Sequence, residues 1–493
     1  MDKGEKMANE VKWMLNELER ITNIYDFLAL CSVYIFDKLK KINYEFANFE
    51  DNNYYEIEVA IERYVIEKLN KGEKYAFNEL KIFVIQYWQY GVDIERCYAF
   101  VKYIDEKVEL ELKESLFDGN GIIKYSSMNK EYTDRVRILP KLNDTMMLRG
   151  QAKFKNETNS YQSFFRKRRE CAVSKLDEET VNYMIWDKPT IEKYPLSIYR
   201  LMERHSVTKH FYDREKMIFG IIPFTNKALE SILDIKFERR TFTVERMFAS
   251  MEQELEVRYK KVYDKCKMND VDFLIFPEML MTENIIKTLQ REYSNESPWI
   301  IVNGSIWKDY TNRSIITDSG GQFIFDYCKK TPFIFQQNGI EYKEYLKCKN
   351  NKEYTMLEIE GIGRIGIAIC KDLINEDIKM FHKYMNTDIL IVPAYTKSMD
   401  LSSAAEELSA DYQCVVVVVN ACSAIGNKSQ IGFITLPAKG ETNRDKIIQY
   451  YYKKEDCLEN CNSECSGKKF IIDFGKVKQY GSLNSYMLEE ECI

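Results

Sequence analysis

From Lys216 onward the chain alternates short β-branched runs with helical patterns, and that alternation confines this region to a layered α/β architecture. KMIFGIIPF (216–224) is followed by the polar amphipathic stretch VERMFASMEQELEVRYKKVYDKC (244–266), then by VDFLIFPE (271–278) and PWIIVNGSIW (298–307). GQFIFDYCKK (321–330), YTMLEIEGIGRIGIAIC (354–370), DILIVPA (388–394) and QCVVVVVNAC (413–422) continue the series. The hairpin-like runs between 298 and 328 predict a mixed sheet, not a purely parallel one.

Residues 1–210 read as a separate, mostly α-helical N-terminal domain of unknown role, and residues 215–493 as the α/β domain. EVKWMLNELERI, YEIEVAIERYVIEKL and FNELKIFVIQYWQY place apolar residues at helical spacing, and Pro140 and Pro189 are the first two prolines of the chain. The pattern breaks near GNGIIKYSSMNKEYTD (119–134). The most basic local patch is FFRKRRE (164–170), with Arg166, Lys167, Arg168 and Arg169. It reads as a solvated helix face or linker. The 71 basic and 77 acidic residues leave a formal charge of -6, which supplies no global field to recruit nucleic acid.

Three histidines, His205, His210 and His382, make a multi-histidine metal centre or a serine–histidine hydrolase a poor fit. The 13 cysteines are odd in number, and Cys31, Cys97 and Cys414 sit singly inside apolar runs, unlike a secreted disulfide framework. Cys457, Cys461 and Cys465 are spaced by four, which on a helix lines three thiols along one face as for zinc or an iron–sulfur cluster. The spacing matches no common metal motif and lacks a clear fourth ligand, so it reads as chance clustering and no metal or cofactor is expected. The first residues, MDKGEKMANEVKW, hold no apolar signal core, and CVVVVV (414–419) falls well short of the ~20 residues that span a bilayer. The expectation is a soluble, reducing, cytoplasmic protein with no membrane contact.

Candidate chemistry gathers at strand ends, where α/β folds place reactive groups. Glu278 follows the apolar strand DFLIF, where partial desolvation raises a carboxyl pKa and suits it to general-base work. Lysines follow the strand ending in DYCKK, where an ammonium can face a developing oxyanion. Cys370 ends RIGIAIC just before the helical NEDIKMFHKYM, and a thiol near a helix N-terminus is expected to have a lowered pKa. Each feature alone also fits an ordinary loop residue, a solvated lysine or a buried structural cysteine.

Together, FPE at 276–278, Gly321 leading to Tyr327-Cys328-Lys329, and GIAICKD at 366–372 resemble the carbon–nitrogen hydrolase (nitrilase) superfamily, over about 215–450. ILIVPA (389–394) and VVVVN (416–420), with Asn420, are similar to that family's later strands. The resemblance implies an αββα four-layer sandwich and a Glu278–Lys329–Cys370 triad. Lys330 competes with Lys329; position two after Tyr327 favours Lys329, and adjacent strand residues face opposite sides.

The resemblance further implies acyl transfer through a thioester on Cys370, with Glu278 as base and with Lys329 and the backbone N–H of Lys371 holding the oxyanion. A second glutamate falls on Glu341 or Glu344, with Glu341 preferred, and Asp372 is a helix cap or a catalytic acid. Departures lie in LINED after Asp372, in Thr331 where the family usually has histidine, and in the long 225–270 segment with KFERRTFTVERM. The expected activity is cysteine-dependent hydrolysis of an amide, nitrile or carbamoyl C–N bond in a small molecule. The resemblance also implies a homo-oligomer. The alternative is a nitrilase-like metabolite sensor whose helical N-terminal domain recruits a protein partner.

Overall fold

The computed structural model describes residues 3–492 apart from 41–44, 47–48, 72, 109–113, 118–121, 126–131, 133, 141–175, 178–179, 181, 202–204, 212–213, 215, 290–296, 348–352, 360, 397–399, 413, 425–429, 438–446, 454–466 and 474–486. Arg166, Lys167, Arg168 and Arg169 and the trio Cys457, Cys461 and Cys465 lie outside the described residues. Two compact units divide the chain. One comprises Met1–Leu116, Lys124–Asn143 and Arg169–Pro195, and the other includes everything from Leu196 to Ile493.

Among the described residues the first unit is built on five long helices, α1 (Lys3–Arg20), α2 (Ile24–Leu39), α3 (Tyr55–Tyr64), α4 (Glu73–Trp88) and α5 (Ile94–Lys107), with one short helix at Lys188–Lys193. Asn23 and Asp93 start α2 and α5, each side chain accepting from a backbone N–H three residues on, which satisfies one orphan donor of the first turn. Phe27, Phe77, Trp88 and Phe100 form an aromatic centre, with the Phe27 and Phe100 rings 5.2 Å apart and edge-on. A hairpin of β1 (Val136–Pro140) and β2 (Tyr183–Asp187) joins this unit, tied by the buried Asp105 carboxylate, which accepts from the N–H groups of Asn182 and Tyr183.

In the second unit one sheet runs β3 (Leu196–Leu201), β14 (Tyr354–Ile359), β15 (Gly363–Ile367), β16 (Ile389–Ala394), β17 (Val415–Asn420), β18 (Gln430–Pro437) and β19 (Ile447–Lys453). Its β15, β16 and β17 are parallel, whereas β14 with β15 and β17 with β18 are antiparallel. The sequence reading places β3 with the helical region, but it pairs with β14 from Leu196 to Leu201 and so belongs to this sheet.

The second sheet runs β9 (Ile306–Lys308), β10 (Thr311–Asp318), β8 (Ile300–Val302), β7 (Phe273–Ile275), β4 (Lys216–Ile221), β20 (Lys468–Asp473) and β21 (Met487–Cys492), with β11 (Phe323–Cys328) paired to β10. β4, β7 and β8 are parallel and β10 is antiparallel to β8, so the sheet is mixed as the runs between 298 and 328 predict. One contiguous hydrophobic cluster draws on both sheets, with Phe219, Leu274 and Ile301 from one and Leu357, Ile391 and Val417 from the other. Their near-continuous apolar runs fit strands covered on both faces.

A third, four-stranded sheet orders β12 (Ile334–Gln337), β13 (Ile340–Glu344), β6 (Thr241–Met247) and β5 (Leu233–Glu238). The charged stretch KFERRTFTVERM is therefore a hairpin, turned by Arg239 and Arg240, both at positive φ. It braces β13 in parallel register, Lys343 against Thr241 and Glu344 against Phe242.

Candidate active site

The site grows from strand ends. Leaving β7, the chain passes Phe276 and Pro277 to Glu278, whose N–H donates to the carbonyl of Ala394 at the end of β16, 3.3 Å away. The two large sheets thus meet at Glu278. Gly304 makes the close approach possible: at φ +52 it lies so near that an added Cβ would sit 2.0 Å from the Pro277 oxygen. Only glycine fits there.

Lys329 follows β11 and is fully buried. Its Nζ donates to Glu278 Oε1 at 2.6 Å and to Glu344 Oε2 at 2.7 Å. Lys330, the competing lysine, points elsewhere, donating to the Glu353 carbonyl and lying over the Tyr354 ring. Adjacent positions diverge as strand geometry requires.

Glu341, the preferred second glutamate on sequence, is exposed and accepts from Gln336 across the β12–β13 hairpin. The structure corrects that preference. Glu344 at the end of β13 is buried, bonded to Lys329 and to the Phe333 N–H at 2.8 Å. Three positions along a strand reverse the face, so one of the two points to the cleft wall and the other into the cluster. Asn312 on β10, which the sequence reading did not single out, donates its Nδ2 to Glu278 Oε1 at 2.8 Å and to Glu344 Oε1 at 3.0 Å.

Cys370 follows β15 and is completely buried, with φ +50. A non-glycine residue in the left-handed region stores strain that surrounding structure must over-determine, and such residues cluster at reactive sites. Its Sγ lies 4.0 Å from the Tyr395 carbonyl, while the Tyr395 N–H donates to Glu278 Oε2 at 3.2 Å. One residue therefore touches both Cys370 and Glu278. Asp372 locks the turn after Cys370 by accepting from the N–H groups of Ile369 and Thr331 and from the Tyr327 hydroxyl at 3.0 Å. Of its two sequence readings, this is the capping one. Asn420 secures the next loop, bonding both the N–H and the carbonyl of Thr396.

The electrostatics reverse one expectation. Cys370 is followed by a short 3₁₀ turn, Cys370–Ile374, and the α-helix Glu376–Tyr384 (α6) starts only beyond it. No helix N-terminus lowers the thiol. Burial pushes its pKa well above the usual cysteine value, and the nearby Glu278 carboxylate pushes it further. At rest Cys370 is a thiol, and making its thiolate takes a proton acceptor. Burial likewise raises Glu278, only partly offset by Lys329. Burial alone would pull the Lys329 ammonium down, but the two carboxylates overcome it and hold its pKa above the ordinary lysine range.

Beside the cluster opens a cleft of about 630 Å³, walled by Phe333, Phe335, Leu229, Lys371, Tyr395 and Ser423. Lys371 follows Cys370 directly, so the cleft adjoins Cys370. Glu341 lines its rim. Among the described residues, no group of three or more His, Cys, Asp or Glu side chains could hold a metal ion. No helix among them is long and apolar enough to cross a membrane.

No family model and no curated protein matches the chain. Solved structures do. Nit3 from Saccharomyces cerevisiae, described as a member of branch 10 of the nitrilase superfamily, aligns over 56% of this chain and 90% of its own at 13% identity, with a TM-score of 0.30. The C. elegans NitFhit protein aligns over 50% of this chain and 64% of its own at 15% identity, with a TM-score of 0.32. A mutant amidase from Nesterenkonia sp. AN1, bearing the acetamide moiety of fluoroacetamide on its active-site cysteine, aligns over 51% of this chain and 97% of its own at 10% identity, with a TM-score of 0.29.

Proposed function

We propose that this protein is a nitrilase-type, cysteine-dependent hydrolase of a non-peptide carbon–nitrogen bond, acting through a thioester on Cys370. The observation that carries the reading is a buried Glu278–Lys329–Glu344 cluster set against a fully buried cysteine at φ +50, beside an open cleft. Two carboxylates share one ammonium there, an arrangement that leaves a raised carboxyl able to take and return a proton.

For an amide the steps balance as follows. Glu278 accepts the Cys370 proton as sulfur attacks the carbonyl carbon, and the oxyanion is held by the Lys329 ammonium and the Lys371 N–H. Collapse breaks the C–N bond while Glu278 delivers its proton to the departing amine. Water then gives a proton to Glu278 as its oxygen attacks the thioester carbon, and the C–S bond breaks with the thiolate recovering that proton. Amide and water become carboxylic acid and amine. The cleft, with aromatic and aliphatic walls, takes the acyl group of a small molecule. None of these steps draws on the helical region of residues 1–210.

The test is ammonia release from a panel of small primary amides and nitriles, read beside mass spectrometry of protein treated with fluoroacetamide. Cys370 gains an acetamide group, and Cys370→Ala loses both the adduct and the turnover. Turnover that survives Cys370→Ala, or an adduct formed first on Cys328 or Cys422, overturns the reading.

A further inference from the structure

Each glutamate of the cluster accepts three hydrogen bonds, and Asn312 supplies one to each. Glu344 is loaded on both oxygens: Oε1 accepts from Asn312, and Oε2 accepts from Lys329 and the Phe333 N–H. Glu278 also accepts three, divided the same way. Its Oε1 accepts from both Lys329 and Asn312, whereas Oε2 has the Tyr395 N–H at 3.2 Å. Tyr395 is the residue whose carbonyl approaches Cys370 Sγ, so Oε2 is the oxygen on the nucleophile's side.

Asn312 is fully buried, and its own Oδ1 has no hydrogen-bond partner among the described residues. Leaving a buried acceptor unpaired costs free energy, and turning the amide over would aim Oδ1 at two carboxylates, which is worse. The side chain is therefore held with both N–H bonds spread across the glutamates, and its backbone carbonyl meets the Lys329 N–H at 2.8 Å. Nothing in this arrangement satisfies the Asn312 amide oxygen; the side chain serves its neighbours.

We propose that Asn312 is a positioning residue of the reaction: by pinning Glu278 Oε1 beside Lys329 and Glu344, it leaves Oε2 as the oxygen that exchanges a proton with Cys370. This rests on the hydrolase reading above. The charged and titratable groups facing Glu278 are Lys329 from the end of β11, Glu344 from β13 and Cys370 from the turn after β15, with Asp372 acting on Lys329. Asn312 from β10 is the neutral member. Removing its donor destabilises the carboxylate of Glu278 relative to the carboxylic acid, so the base stays protonated to higher pH.

The measurement is the rate at which fluoroacetamide labels Cys370 as a function of pH, in wild type, Asn312→Ala and Asn312→Asp, with the melting temperature of each recorded. In wild type the rate falls on the acid side as Glu278 protonates. In Asn312→Ala that limb moves up by about one pH unit, a roughly tenfold slower reaction at any pH on the limb, and recovers at alkaline pH. Asn312→Asp keeps the shape but replaces the donor with a third carboxylate, and its limb moves at least as far. The isosteric variant decides the matter where the alanine protein does not fold. A limb that stays in place in a folded variant, or a rate lowered by one factor at every pH, overturns the positioning role. A wild-type Cys370 that labels no faster than Cys31, or a limb that Glu278→Gln leaves unchanged, instead overturns the hydrolase reading and this inference with it.

Discussion

Glu358 and Glu278 are both buried glutamates of the second unit, and their surroundings invert one another. Glu358 lies in the middle of a sheet, in register with Arg364 on one neighbouring strand and Arg200 on the other. Arg364 Nε donates to its Oε1 at 2.8 Å, and Arg200 Nη2 donates to its Oε2 at 3.0 Å. Burial alone would raise its pKa, but two guanidinium groups more than compensate and hold it below the usual carboxylate range. Glu278 has half a cation, because Glu344 competes for Lys329. Its pKa stays above the usual range. Two cations per carboxylate make a permanent charge that ties strands together; two carboxylates per cation leave a carboxyl with a raised pKa. Burial is common to both, and stoichiometry separates them.

Exchanging each acid for its amide turns that contrast into a measurement. Glu278→Gln removes the base, and turnover drops by about 10²–10⁴-fold, the range for a lost general acid–base group, with a melting temperature close to wild type. Glu358→Gln takes a buried carboxylate away from Arg364, which is 1% exposed, and from Arg200. Breaking a buried pair in this way costs about 3–5 kcal/mol, so the protein melts well below wild type while the folded fraction keeps its turnover. Thermal melting beside specific activity reads both. A Glu278→Gln protein that loses stability but not activity would collapse the distinction.

How much of this was legible in the sequence follows the same line. Strand-terminal FPE, YCKK and AICKD place Glu278, Lys329 and Cys370 correctly at strand ends, because apolar runs bounded by polar residues are a local signal. Glu344 was not separable from Glu341, since which face of β13 turns inward depends on pairing with β6, a strand about a hundred residues away. Asn312 carries no local signal at all: it is one polar residue in TNRSIITD, and its role appears only when β10 lies beside β11. The direction of the Cys370 shift failed for a related reason. A helical pattern is visible after Cys370, but its start at Glu376, past a 3₁₀ turn, is not. The strand Leu196–Leu201 was missed because its partner, Tyr354–Ile359, lies far along the chain.

A third buried titratable group has no counter-charge and sharpens the contrast further. His382 on α6 bonds Thr387 through Nδ1, and its Nε2 has no partner among the described residues. Its ring lies over Gly366 of β15, where an added Cβ would sit 2.5 Å from Cε1. Gly366→Ala therefore forces the ring or strand to shift and costs about 1–3 kcal/mol, read as a lower denaturation midpoint. The imidazole itself answers to pH. Burial lowers its pKa from 6.5 to about 3, so the folded state keeps it neutral where the unfolded chain protonates it. The stability is complete above 6.5 and is lost as pH falls from there toward 3, because the unfolded state binds the extra proton. One pH unit below the ordinary histidine value the loss is about 1.4 kcal/mol. Carboxylates titrate in the lower part of this window too, so the difference between wild type and His382→Leu isolates the imidazole. On acidification from neutral pH the wild-type midpoint falls relative to that of His382→Leu; a difference independent of pH would mean that His382 is solvated in the folded protein, and that burial without a partner does not by itself fix a charge state here.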